Sequence, residues 1–141
     1  MDEAQYLEQR IDNQIKWHSS KSRQYKKAFQ SLQLAQIFLG ISIPFCSILI
    51  KDPLVLKIVV GALGMLIALI AGLIALFKFQ ENWVNNRRTS EFLKNEKYLF
   101  LTKATPYDGQ NAFSDFVVRS EQIMMDENQS WVKSNSGIGE K

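Results

Sequence analysis

The chain has 141 residues, room for one domain. Its single cysteine rules out an intramolecular disulfide, and its single histidine rules out a histidine-rich metal site within one copy. The net charge of +3 and a mean hydropathy of −0.13 look soluble, but residues 34–77 are almost all apolar while both flanks are strongly charged.

Residues 1–31 are predicted as a cytoplasmic helix that starts near Asp2. Ile11, Ile15, His18, Ser22, Tyr25, Phe29 and Leu32 alternate by four and three. That is a heptad-like seam, apolar at its ends and polar at His18 and Ser22. No Pro or Gly interrupts 2–39, so the part before the membrane would reach roughly 45 Å. His18 fits a polar layer in this seam better than a catalytic base.

Residues 32–50 and 55–77 are predicted transmembrane helices joined by a turn at 51–54. A helix needs roughly 20 apolar residues to cross a bilayer core. So short a connector returns the second helix antiparallel beside the first. A buried hairpin inside a soluble core is disfavoured, because a chain of this length lacks the helices to cover it. Pro44 is expected to kink the first span, and Pro53 suits the first turn of the second. No cleaved signal peptide is expected. Lys16, Lys21, Arg23, Lys26 and Lys27 precede the spans, and Lys78, Arg87, Arg88, Lys94 and Lys97 follow them. The turn side carries only Lys51 and Lys57 against Asp52. Basic residues favour the cytoplasmic side, so both termini are expected there.

The second helix is expected to run unbroken to about Ala104, with 78–104 as a cytoplasmic extension, until Thr105-Pro106 stops it. Tyr107-Asp108-Gly109-Gln110 reads as a turn. A third helix fits 111–133, where Phe113, Val117, Ser120, Met124, Glu127 and Trp131 recur by three or four. Residues 134–141 are expected to be a disordered tail. The fold class is therefore an all-α membrane protein in one domain, 1–133. It combines a two-helix transmembrane hairpin, long cytoplasmic extensions and a third cytoplasmic helix that completes a three-helix bundle.

Two stripes bear on mechanism. In the second span Gly61, Gly64, Ala68, Ala71 and Ala75, with Gly72 alongside, form a small-residue face that allows close backbone approach. It would serve either packing within the hairpin or contact with other copies in a homo-oligomer. In the first span Gln33, Gln36, Gly40 and Ser47 form a polar or small stripe. It would either reach headgroups or line a polar path in an oligomer. No ionisable residue occupies the middle of either span, so a charged filter is not indicated. Catalytic constellations and phosphate loops are absent, and neither an enzyme nor a cofactor is expected. The basic residues Lys21, Arg23, Lys26 and Lys27 suit the anionic surface of a lipid bilayer. Nucleic acid is disfavoured, because acids are interleaved through the same helices.

The segment Phe79-Gln80-Glu81-Asn82-Trp83, then Arg87, Thr89, Glu91, Leu93, Lys94, Glu96-Lys97 and later Pro106-Tyr107, is distinctive. Near the start, Tyr6-Leu7-Glu8-Gln9-Arg10-Ile11 precedes Gln14 and Trp17. From Tyr6 to Val132 the chain resembles the SLATT family, the two-transmembrane domains associated with SMODS nucleotidyltransferases and SLOG proteins in bacteria. The resemblance implies an inner-membrane effector of a bacterial conflict system. A cytoplasmic signalling partner or nucleotide signal would trigger it to open a pore or perturb the membrane. A membrane-anchored scaffold that recruits a cytoplasmic partner is the alternative. Of the motif residues, Gln80, Glu81, Trp83, Arg87, Thr89, Glu91 and Glu96, with Ser90 and Lys94 on the same side of the helix as Gln80 and Arg87, suggest a buried polar network tying the cytoplasmic helices, with Arg87 and Glu91 placed to pair. A signal-binding or gating surface is the other reading of the same residues.

Overall fold

A computed structural model describes residues 2–136, except the side chains of 130, 131 and 133–136. All elements are helical, with no strand among the described residues: α1 (Glu3–Gln5), a π-helical segment (Tyr6–Asp12), α2 (Asn13–Leu49), α3 (Pro53–Phe77), α4 (Phe79–Leu101) and α5 (Ala112–Ser136). They form two compact units. The bundle comprises Met1–Ser22 with Val84–Lys141, and the hairpin comprises Arg23–Trp83. The last helix passes the expected end by three residues, so 134–136 are helical. The disorder expected of 137–141, and the place expected for the Trp131 side chain, lie outside the described residues.

In the bundle, Asp2 caps α1 by accepting from the Ala4 amide at 3.0 Å, and the Gln5 side chain accepts from the Asp2 amide at 3.3 Å. The π-helical segment that follows departs from the expected continuous α-helix. It brings Tyr6 and Ile11, five residues apart, into one core, an interval at which 3.6 residues per turn would split them between faces. The seam expected from Ile11, Ile15, His18 and Ser22 does turn inward: Ile11, His18 and Ser22 are buried and Ile15 is half-buried. The core closes with Leu93, Phe100, Tyr107, Phe116 and Met124. Phe100 and Phe116 stack at 4.5 Å between centroids, and Tyr107 meets both edge-on at 5.8 Å.

In the hairpin, the turn is confined to residues 50–52. The Asp52 carboxylate accepts from the Leu54 and Val55 amides at 2.8 and 3.2 Å, and Pro53 opens α3. In the apolar part of α2 the less exposed positions include Phe29, Leu32, Gln36, Leu39, Ile43 and Cys46, and α2 continues past Pro44. Those of α3 include Leu56, Val60, Leu63, Ile67, Ile70 and Ile74, with Val59 beside Val60. Both series step by three and four, the spacing of one helix face. The chain contains two helices long and apolar enough to cross a membrane, and no part of their apolar windows is buried.

The expected unbroken helix from the second apolar run to Ala104 is corrected at both ends of α4. Lys78 takes a left-handed conformation (φ 46°, ψ 42°) and separates α3 from α4. The Asn82 side-chain Nδ2 donates to the Phe77 carbonyl at 3.1 Å, which supplies that carbonyl with a partner at the break. At the other end, α4 stops at Leu101. The Ala104 amide donates to Leu99 O at 3.0 Å and the Lys103 amide to Phe100 O at 3.1 Å, with Lys103 left-handed at φ 53°. This is a Schellman close with lysine where glycine is usual. The Thr105-Pro106 bond that follows is cis.

Lys103 is exposed, so replacing it loses little packing. Lys103→Gly removes the left-handed penalty on a side chain and is expected to stabilise the bundle by about 0.5–1 kcal/mol net of glycine's entropy. Thermal unfolding followed by circular dichroism reads this as a midpoint raised by a few degrees; a lowered midpoint contradicts the assignment of this cap.

Candidate functional site

The bundle carries an unusual share of its polar side chains inside. His18 and Asn86 are buried, and the imidazole Nδ1 lies 3.0 Å from the Asn86 side-chain Oδ1. One residue along, the Ser19 and Ser90 hydroxyls meet at 2.6 Å. Ser22 and Thr89 are buried in the same unit, and the Thr89 hydroxyl donates to the Asn85 carbonyl of its own helix at 3.1 Å. His18 and Ser22 thus sit in the seam where their spacing places them. The partner of His18 on α4, Asn86, lies outside the residues expected for the polar network.

The face that α4 turns inward is the main correction to the polar network. Gln80, Glu81, Arg87 and Glu91 are exposed and Trp83 is half-buried. Glu91 pairs with Lys94 at 3.0 Å, three residues on, rather than with Arg87. The inward face of α4 is Asn86, Thr89, Ser90, Leu93, Glu96 and Phe100. So polar a face carries little hydrophobic signal, and the motif residues are split between it and the surface. Of the seven motif residues, the bundle interior holds Thr89 and Glu96.

Two carboxylates tie α5 to the rest of the bundle. Glu96 accepts from the Tyr107 hydroxyl and from Arg119 Nη2, the latter at 3.1 Å. Glu121 accepts from Arg10 Nε and Nη2 at 3.0 and 2.9 Å and from the Tyr6 hydroxyl at 3.1 Å. Lys97 and Asp12 add a pair at 2.5 Å. The paired Arg10 guanidinium holds Glu121 below the usual carboxylate range, aided by the Tyr6 hydrogen bond against a smaller desolvation effect, and Glu121 in turn raises Arg10. Burial pushes both Tyr6 and Tyr107 up, with further contributions from Glu121 and Glu96 respectively. Tyr6, Arg10, Glu121, Tyr107 and Arg119 escaped the sequence reading of this network. Arg10 and Glu121 lie 111 residues apart, and no local pattern announces such a pair.

Between α4 and α5 runs an open groove of about 430 Å³, lined by Phe92, Asn95, Glu96, Arg119, Gln122, Ile123 and Asp126. A second recess of about 270 Å³ shares Phe92, Ile123 and Asp126 with it. Among the described residues no group of three His, Cys, Asp or Glu side chains is placed to hold a metal ion.

In the hairpin, Gly61, Gly64, Ala68, Ala71, Gly72 and Ala75 are all exposed. A Cβ added at Gly61, Gly64 or Gly72 would meet nothing within 4 Å. The small-residue face is therefore not what packs the hairpin; the Leu56 to Ile74 seam is. Of the first-span stripe, Gln33, Gly40 and Ser47 are exposed while Gln36 is half-buried. The Ser47 hydroxyl donates to the Ile43 carbonyl of its own helix at 3.0 Å. The four residues thus divide between two surfaces.

These features define an all-helical protein that joins an apolar two-helix hairpin to a bundle with a polar interior. The chain belongs to the family described as "Protein of unknown function (DUF4231)", which matches residues 13–114. The matched stretch takes in His18, Asn86, Glu96 and Tyr107 and leaves out Arg10 and Glu121. No curated protein and no solved structure matches the chain.

Two outcomes test the bundle's polar contacts. Because Glu121 is lowered in the folded state, its contribution is present above the ordinary glutamate range near pH ~4.3 and is lost as pH falls through its folded value. Because Tyr6 and Tyr107 are raised, theirs is present below the ordinary tyrosine value near pH ~10 and is lost as pH rises above it. Urea midpoints measured across pH should fall on both sides, with Glu121→Gln flattening the acid limb and Tyr107→Phe the alkaline limb. Separately, the fully buried Ser120 hydroxyl has no hydrogen-bond partner among the described residues. Ser120→Ala should leave stability unchanged or raise it by about 1 kcal/mol in the same urea assay, and a clear loss would mean that the hydroxyl has a partner.

Proposed function

We propose that the chain is an integral membrane protein that works as a homo-oligomeric, pore-forming or membrane-perturbing effector in a bacterial conflict system. Both termini are cytoplasmic, and the trigger arrives from that side. The observation that carries the proposal is the open small-residue face of α3. The hairpin packs through another face, and a Cβ at Gly61, Gly64 or Gly72 would meet only open space. Small residues at helix interfaces in lipid allow close approach between helices, and this face has no such partner among the described residues. The resemblance to SLATT domains in the segments 6–17 and 79–107 supports the effector role and the bacterial inner membrane. No enzyme activity or cofactor is proposed. The trigger is a partner protein or nucleotide signal rather than a nucleic acid.

The scaffold reading keeps one observation of its own: Phe92, Val118 and Met125 are exposed apolar side chains on the bundle. Under it, the bundle would recruit a cytoplasmic partner while the hairpin serves only as anchor.

Gly64→Leu with Ala68→Leu separates the two. Subunit number after purification in mild detergent should drop in the double variant, and dye release from liposomes should fall with it. A strict monomer in the wild type, with no leakage on triggering, would sink the effector proposal.

A further inference from the structure

We infer that the open end of the hairpin is a binding site for the headgroup of an anionic phospholipid, built from Lys26, Lys27, Lys78 and the Trp83 ring. The inference rests on the membrane reading above and adds a ligand to it. Length comes first. α3 has 25 residues, about 37 Å at 1.5 Å per residue, against a hydrocarbon core of about 30 Å. With the turn at one surface, the residues around Phe77 and Lys78 fall several ångströms past the other edge of the core, at the depth of the headgroups.

The contacts across the two arms agree with that level. The Tyr25 and Phe79 rings lie 6.3 Å apart, and the Lys26 ammonium sits 5.4 Å above the Trp83 ring. Consecutive residues of α2 therefore meet the start of α4 at two points. The cation–π contact positions the Lys26 ammonium against the rim instead of leaving it to trail in solvent. Tyr25 and Trp83 each combine an apolar ring with a polar tip, the chemistry that settles at a membrane–water interface.

Charge selects the ligand. The open end of the hairpin carries Arg23, Lys26, Lys27 and Lys78 against the single acid Glu81, whose carboxylate is 3.9 Å from the Lys78 ammonium. The closed end carries Lys51 and Lys57 against Asp52. A phosphodiester at the open end meets a surplus of three cations, and at the closed end a surplus of one. Basic side chains at this depth attract anionic lipids by about fivefold in affinity apiece.

The chain has three tryptophans, so Trp17→Phe with Trp131→Phe leaves Trp83 as the reporter. In phosphatidylcholine vesicles, a small fraction of brominated phosphatidylglycerol should quench Trp83 more than the same fraction of brominated phosphatidylcholine. Lys26→Gln with Lys27→Gln should cut that preference by about fivefold per lysine, whereas Lys51→Gln with Lys57→Gln should leave it. Native mass spectrometry of the unaltered chain from mixed vesicles should show retained phosphatidylglycerol. Equal quenching by the two lipids, or equal loss in the closed-end variant, overturns the proposal. Abolition of the preference by inorganic phosphate at constant ionic strength assigns the site to the free ion and overturns the lipid. A chain that floats with vesicles but shows no preference defeats this inference alone. A chain that does not float defeats the membrane reading with it.

Discussion

The outer surface of the hairpin has to be taken out of water, and the chain does not do this for itself. Seven large apolar side chains on α2 from Leu34 to Leu49 and nine on α3 from Leu54 to Phe77 are exposed, with Ile48 at 79%. Fully burying such a side chain is worth about 1.5–3 kcal/mol, so leaving sixteen of them largely wet forfeits more than the ~5–15 kcal/mol that holds a typical domain together. A soluble state with this surface exposed would associate or aggregate. Lipid, further copies of the chain, or both together can cover it. The small-residue face narrows the division of labour. Large side chains such as Leu69, Leu73 and Leu76 suit acyl chains, whereas a face of Gly61, Gly64, Ala68 and Ala71 gains more from another helix backbone.

The bundle solves the opposite problem. Its apolar core is small, centred on seven buried side chains, and much of the remaining interior is polar. Each buried hydroxyl or amide must find a partner or cost free energy. His18 with Asn86 and Ser19 with Ser90 are matched pairs from two helices, so sliding one helix by a turn would leave several of them unmet. Polar layers of this kind give register at some expense in stability. Glu96 and Glu121 do the same for α5. Both are held by an arginine and a tyrosine, and the two tyrosine rings are themselves in the aromatic core. Charge pairing and ring packing therefore fail or hold together.

Most of the fold was legible because it rests on patterns with a period. The two apolar runs, the Asp52-Pro53 start of α3, the Phe113 to Met124 stripe and the seam through His18 and Ser22 all follow from spacing and cap chemistry. What escaped has a common cause. On the inward face of α4, Thr89, Ser90 and Glu96 fell within the expected polar network, whereas Asn86 looks like a surface residue when burial is inferred from hydropathy. Arg87 and Glu91, four apart and opposite in charge, made the more obvious pair, yet the helix turns them outward. Tyr107 sits in a turn by sequence and in the core by structure, because the short link between α4 and α5 folds its ring against Phe100 and Phe116. The hairpin's packing face was also ambiguous. In lipid both small and branched side chains pack helices, and the seam of Leu63, Ile67, Ile70 and Ile74 prevails within the chain.

The chain departs from α-helical geometry at two further places. At Tyr6 and Ile11 the inward positions step by five residues, an interval an unbroken α-helix cannot keep on one face, and after Ile74 the less exposed positions are the adjacent Lys78 and Phe79. The step at Tyr6 and Ile11 is absorbed by a π-helical segment, and at the second place the left-handed residue Lys78 breaks the helix. A left-handed lysine costs about 1–2 kcal/mol, and glycine would take the same conformation with little strain. Glycine would bring no charge. Lysine places an ammonium between Phe77 and Phe79, at the end of a 25-residue apolar helix. One residue thus ends the apolar helix and adds a cation at its end, which glycine in the same conformation would not.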